Sequence, residues 1–292
     1  MSNLYGHIIK VSFKGTYSTT ISSEDLEIRF EVPFNDDSKP DESVVEIFNL
    51  SLSSINKLKK GSTCTLQAGY KGDVGTLISG TVRSVLTRRE GTERITRILF
   101  YEGEDRSNVK VKNKEYAPDK VTKDKNGKVT KVTKDKKGKT QITFKKGTTA
   151  KTIINRLCGL LSIKPAEITL PKNKVYKKGL VVTGKVLEKL EEVVKDCGAA
   201  LYYRRGKMVI RSISKGNDEN FTLQETTGLL EQPEPFDNED VKGYSVKCLL
   251  QHRITVASII NIKSREVNGK YRVKSGKHYY DGSNFMTESE CI

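Results

Sequence analysis

Tryptophan is absent from the 292 residues, and histidine and methionine occur only three times each. A chain without Trp is an unusual carbohydrate-binding cleft. His7, His252 and His278 are too scattered to complete a zinc pattern. The five cysteines, at 64, 158, 197, 248 and 291, include no CxxC pair. An odd number of thiols without a leader fits reduced, buried side chains, so no metal site is assigned. The opening MSNLYGHIIKVSFKG holds no apolar run of the secretory kind. Nor does any stretch approach the roughly 20 apolar residues of a membrane span. The expectation is a soluble protein made in the cytoplasm, with no membrane partner. Seven prolines and a charged fraction of 30% do not suggest wholesale disorder.

The usual catalytic signatures are missing too. There is no GxSxG elbow, HExxH pair or GxGxxG turn. Gly179-Leu-Val-Val-Thr-Gly184-Lys185 nearly spells a phosphate loop, but Val186 stands where a Ser or Thr would hold Mg²⁺. The preceding Lys172–Lys178 is a poor buried strand, so Gly184 reads better as the start of a helix. Gly138-Lys139-Thr140 is a fragment of the same motif. Paired acids at Glu104/Asp105 and Glu239/Asp240 read as solvated loop residues, and His278 beside Tyr279-Tyr280 as a packing or surface cluster. No catalytic, cofactor-binding or metal-binding residue is assigned, no cofactor is expected, and the chain is expected not to be an enzyme.

What the chain has in abundance is positive charge, +16 in all. Residues 110–140 contain twelve lysines against four acids, so this segment alone carries half of the excess. Within it VTKDKNGK (121–128) recurs as VTKDKKGK (132–139) without apolar bulk. Asn126-Gly127 and Lys137-Gly138 are turn dipeptides, leaving open either a projecting polar hairpin or a disordered loop. A solvated insertion is the plain reading. A stacking surface for nucleic acid would interleave aromatics with the lysines, and 120–140 has none.

Around that insertion the pattern is mostly β. Leu26–Val32 alternates for seven residues, Val45–Phe48 is strand-like, and Ser51 caps a short helix with Leu52, Ile55 and Leu58 on one face. Thr63–Ala68, Thr76–Leu86 and Arg94–Tyr101 are further strands. From 141 the pattern becomes α/β. Ile153, Ile154, Leu157, Leu160 and Leu161 form one helical stripe, and Val186, Leu187, Leu190, Val193, Val194 and Cys197 a second, stopped by Gly198. Ala200–Tyr203 and Lys207–Ser212 pair as a hairpin across Arg204-Arg205-Gly206. After 213 the chain is β again. Val241–Leu250, Ile254–Ile262 and Tyr271–Val273 are strands, Glu231–Pro235 an extended loop, and Val267-Asn268-Gly269-Lys270 a hairpin turn.

Three segments carry a family resemblance: VVEIFNLSLSSINKLKKGSTCTLQAGYKGDVGTLISGTV (44–82), ITFKKGTTAKTIINRLCGLL through CGAALYYRRGKMVI, and GYSVKCLLQHRITVASIINIKSREVNGKYRVKSGKHYYD (243–281). In this order they resemble the first tube domain, the inserted α/β domain and the second tube domain of phage tail baseplate hub proteins, a family that also serves tailocins and related injection machines. The resemblance implies a mainly β fold with a small α/β insert. It divides the chain into a tube-type β-barrel at 1–111, the Lys-rich insertion at 112–140, the α/β domain at 141–212 and a second barrel at 213–292.

It further implies a homotrimeric structural ring in the virion's tail baseplate. Its partners would be the tail tube or a distal tail protein, a spike or tail-tip protein, and the tape-measure protein, with nucleic acid only as passing cargo. Two other classes are weighed beside it. One is a basic nucleic-acid-binding β-barrel protein. The other is a tail-associated cell-wall-binding protein, since FKKGTTAKTII faintly matches the start of a LysM module.

Overall fold

The computed structural model describes residues 4–103, 106–111, 141–238 and 241–292, with the backbone of 120–123 and 129–133. The first β region runs β1 (His7–Lys14), β2 (Thr19–Ser22), β3 (Ile28–Phe34), β4 (Glu42–Phe48), α1 (Leu52–Lys57), β5 (Thr63–Tyr70), β6 (Asp73–Glu90) and β7 (Glu93–Tyr101). The middle holds β8 (Lys120–Lys123), β9 (Val129–Thr133), β10 (Gln141–Phe144), β11 (Thr148–Thr149), α2 (Ala150–Leu160), β12 (Glu167–Ile168), β13 (Val175–Tyr176), β14 (Leu180–Thr183) and α3 (Val186–Lys195). The rest comprises β15 (Ala200–Arg204), β16 (Lys207–Arg211), β17 (Asn217–Leu223), β18 (Glu234–Asn238), β19 (Val241–Leu249), β20 (Ser258–Lys263), β21 (Asn268–Tyr280) and β22 (Phe285–Cys291). The fold is mainly β, as the sequence pattern requires.

Contacts divide the chain into two compact units, Met1–Glu104 with Leu201–Ile292, and Asp105–Ala200. Strands from both ends of the sequence share one 13-stranded sheet in the first unit. Its order is β18-β19-β22-β21-β3-β4-β7-β6-β5-β1-β2, with β20 joining β21 to β17. Period-two burial drives this assembly. Ile28, Phe30, Val32 and Phe34 of β3 are all buried, while Glu31 between them is exposed. The sheet wraps one core in which Ile9, Leu66, Ile78 and Phe100 pack with Leu250 and Phe285.

The sheet also repeats itself. β3-β4-β7-β6-β5 and β18-β19-β22-β21-β20 have the same strand order, and every neighbouring pair in both is antiparallel. The next strand differs, since β1 runs antiparallel to β5 whereas β17 runs parallel to β20.

In the second unit, α2 and α3 pack together through the two expected stripes. Ile153, Ile154, Leu157, Leu190 and Val194 are fully buried. Thr149 caps α2 by accepting the Thr152 N–H at 3.4 Å, and Gly198 (φ +70°) follows the end of α3. All five cysteines are free and buried. β8 and β9 pair antiparallel, the hairpin alternative for that segment, and the remainder of 112–140 lies outside the described residues.

Several local expectations are corrected. Asn268-Gly269 is no turn: both residues lie in β21, opposite Lys263 and Ile262. The turn is Ser264–Val267, where the Ser264 hydroxyl accepts the Val267 N–H at 2.9 Å and closes the loop three residues early. Pro235 belongs to an edge strand rather than a loop, an allowed place for a residue that cannot donate to a ladder. Ile254, Val256 and Ala257 precede β20 in a buried loop. Leu52, in the first turn of α1, is 62% exposed, whereas Leu58 is buried.

Candidate functional site: the strand junction and its polar lock

β3 and β21 join the two β regions through five facing pairs, from Gly276↔Phe34 to Tyr280↔Phe30. Gly276 is required here. A Cβ at that position would lie 2.2 Å from the Glu288 carbonyl oxygen and 2.7 Å from the Phe34 ring. Next to it His278 is fully buried, its ring tilted against Phe34 with centroids 5.0 Å apart. The Ile254 backbone favours the protonated ring but is outweighed by burial. His278 Nδ1 and the Thr287 hydroxyl share a hydrogen bond of 2.8 Å, and Thr287 Oγ1 accepts the Gln251 N–H at 3.0 Å. Burial drives the His278 pKa down to about 3, so the ring stays neutral at physiological pH.

The loop so anchored is a hub of charged contacts. Arg253 grips Asp73 with two hydrogen bonds of 2.7 and 2.8 Å, and His252 Nε2 meets the same carboxylate at 2.9 Å. The Arg253 guanidinium leads in holding the Asp73 carboxyl near pKa 2. From the β15–β16 turn, Arg205 donates to the carbonyls of His252 (3.1 Å) and Arg253 (3.0 Å). Arg204 pairs with Glu219, which also accepts from the Ser258 hydroxyl at 2.9 Å. The turn itself needs Arg205 and Gly206 at positive φ, +52° and +86°. A Cβ on Gly206 would strike the Ser79 carbonyl at 1.9 Å. The Gly206 N–H donates to Glu102 at 3.0 Å, yet burial outweighs that bond and raises the Glu102 pKa to about 7.

Chemically this cluster is a lock. Apart from the buried Arg205 Nε, which has no hydrogen-bond partner among the described residues, its donors and acceptors are engaged with one another across strands, and the neutral His278 is shut from solvent. Beside the junction lies a groove of about 530 Å³ lined by Pro33, Glu234, Lys247, Gly276, Lys277 and Glu290 among others. Its charges are mixed and lie on sheet strands and the approach to β18. Among the described residues no group of three or more His, Cys, Asp or Glu side chains is spaced to hold a metal ion.

The motifs singled out in the sequence fall elsewhere. The near phosphate loop is β14, a turn at Gly184 (φ +77°) and α3, with Lys185 paired to Glu188 at 3.0 Å. FKKGTTAKTII is the end of β10, the short β11 and the start of α2. Glu104/Asp105, Glu239/Asp240 and the unpaired part of the lysine-rich segment lie outside the described residues. Sequence reasoning did not find the Asp73–Arg253 pair, because its members are 180 residues apart.

No protein-family model matches the sequence, and no curated protein matches it either. Solved structures do. The chain is similar to the 43 kDa tail protein of prophage MuSo2 from Shewanella oneidensis, with TM-score 0.62 and 11% identity over 99% of this chain and 98% of that one. It is similar to the tail protein from Neisseria meningitidis MC58, with TM-score 0.62 and 9% identity over 98% and 96%. It is also similar to the E. coli c3393 protein, a type VI secretion component described as resembling the T4 phage tail proteins gp27 and gp5. That match has TM-score 0.61 and 8% identity over 97% and 76%. The resemblance read in residues 44–82 and 243–281 therefore holds at the level of fold.

Proposed function

We propose that this chain is a structural protein of a phage tail or tail-derived injection particle, and specifically the baseplate hub at the end of the tail tube, working without catalysis. The observation that supports this is fold correspondence over the whole length. The chain and the two tail proteins cover each other almost completely, so the likeness is to the entire protein rather than to one barrel-sized piece.

The repeated strand order gives the reading its physical content. One chain carries two similar sets of five strands, so three copies present six. A threefold ring of this kind would meet the hexameric tube on one side and a threefold spike or tip on the other. Its channel would pass DNA or the tape-measure protein. The lysines of 112–140 would point away from that channel, because a lysine-lined pore would retain DNA through counterion release.

Light scattering on the purified protein, at about 0.15 M salt and again at high salt, tests the ring. A particle of three chains of 32.7 kDa is expected at both. A monomer that binds DNA with a steep salt dependence would replace this reading with the nucleic-acid-binding one.

A further inference from the structure

The two five-strand sets superpose on their bulges. β6 and β21 are both bulged in the pairing with the strand that follows, between Val82 and Ser84 and between Val273 and Ser275. Aligning the bulges sets the Thr87↔Thr96 pair on His278↔Thr287. Each pair shares a side-chain hydrogen bond, of 3.4 and 2.8 Å. Thr96 faces Ile47 in β4 as Thr287 faces Cys248 in β19. Counting on from those partners sets Leu52 of α1 on Arg253.

The two positions are used differently. Within the chain the sets meet where the second half of β21 pairs with β3, its first half being given to β20. Arg253 reaches across that meeting and grips Asp73, at the turn of the β5–β6 hairpin. Leu52 is 62% exposed instead, on a helix that buries none of its own residues. In a ring of alternating sets it would face the β20–β21 hairpin of the next copy, as Arg253 faces β5–β6 of its own.

That hairpin is the shorter of the two. Superposed, Gln67↔Thr76 falls on Lys263↔Asn268. β5 and β6 then continue through Ala68↔Gly75 and Gly69↔Val74 to Tyr70↔Asp73, whereas Ser264–Val267 turns back at once. Beside the shorter turn lies a groove of about 450 Å³, lined by Leu229, Leu230, Ser264 and four charged residues among others. Leu230 is 43% exposed. The charges balance, Glu225 and Glu231 against Lys263 and Arg265, so the leucines are what the groove offers a partner.

We infer that Leu52 of one copy seats in this groove of a second copy, against Leu229 and Leu230. The inference rests on the multi-copy reading above and names its interface. The connection that carries Leu52, residues 49–62, is longer than its counterpart 250–257, and it faces the shorter hairpin. One exposed leucine thereby covers another. The contact needs no backbone ladder between copies, which Pro233 and Pro235 would not support at the edge of β18 because they have no N–H. It joins different patches, so it is heterologous and generates a ring if the rotation closes. Being apolar and charge-balanced, it should hold at high salt as well as low.

The test mixes two single variants, Leu52→Cys and Leu230→Cys, and treats them with a short bismaleimide. The native cysteines are all buried and leave a low background. The mixture should give a two-chain product on denaturing gels, and the double variant a ladder ending at three chains. Leu52→Asp should raise the concentration needed for assembly by about tenfold or more. It should leave thermal unfolding of the single chain unchanged, since an acid is tolerated in the first turn of a helix. Leu52→Lys and Leu230→Glu should each weaken assembly and together restore part of it. A three-chain particle that neither cross-links nor responds to Leu52→Asp would overturn the docking while leaving the ring intact. A ladder running on to long open chains would keep the docking and remove the closed trimer. A monomer without cross-links would remove both.

Discussion

The His7 ring stacks on the Phe285 ring, with centroids 4.3 Å apart and planes 20° from parallel. Six strands lie between β1 and β22 in the order of the sheet, so this contact bridges a distance that no hydrogen-bond ladder spans. Tyr70 and Tyr280 set their edges to the same phenylalanine. The curl of the sheet is thus held by an aromatic cluster rather than by strand pairing.

Truncating Phe285 should be among the most damaging single changes in the β unit. The side chain is 3% exposed and at the centre of four ring contacts. Phe285→Ala should lower stability by about 3–5 kcal/mol. His7→Ala, which removes one stacked partner, should lower it by about 1 kcal/mol. Urea unfolding of the two variants gives the comparison, and equal losses would contradict the arrangement.

Asp73 makes stability depend on acid. Its pKa falls from 3.8 when unfolded to about 2 when folded, through the Arg253 hydrogen bonds above all. The stabilisation is therefore complete above about pH 4 and is lost as pH falls through 2. The native protein should lose about 2 kcal/mol over that window. Asp73→Asn should be weaker at neutral pH and should lack this part of the pH dependence.

Glu102 works in the other direction. Its pKa rises from 4.5 to about 7 on folding, chiefly through burial, so the carboxylate form opposes the fold. Stability from this group should increase as pH drops from 8 towards 4.5. Glu102→Gln keeps an oxygen for the Gly206 N–H and carries no charge. It should raise the urea midpoint at pH 8 and make little difference at pH 4.5.

Gly276→Ala tests the β3–β21 junction. The new methyl would meet the Glu288 carbonyl and the Phe34 ring, and backbone cannot yield cheaply. A loss of about 1–3 kcal/mol is expected, with faster amide exchange in β3 and β21 than in the β5–β6 hairpin. Uniform exchange across the sheet would show that the junction is not the part affected.

The strands whose signal is local were legible before any coordinates. The alternation in Leu26–Val32 and the stripes of α2 and α3 needed only periods of 2 and 3.6, and the structure follows them. Ladder partners were not legible. Nothing near Phe30 in the chain points to Tyr280, and nothing near Asp73 points to Arg253. Turn chemistry misled at Asn268-Gly269, because a serine side chain three residues upstream of Val267 closed the reversal first. The likeness of the two tube-type regions came only from the family resemblance, for a related reason: it is kept as strand order, while few residues coincide.

The two uses of β21 also have a mechanical meaning. Its first half is tied to β20 and its second half to β3, with the bulge between Val273 and Ser275 at the changeover. Tension along the strand passes from one set of strands to the other through a single backbone, loading the five Gly276–Tyr280 pairs in shear rather than one after another. A sideways pull on β3 would meet them singly, as a zipper does. The two sets of strands are therefore stiff against sliding and compliant against peeling, which gives the subunit a direction in which it yields.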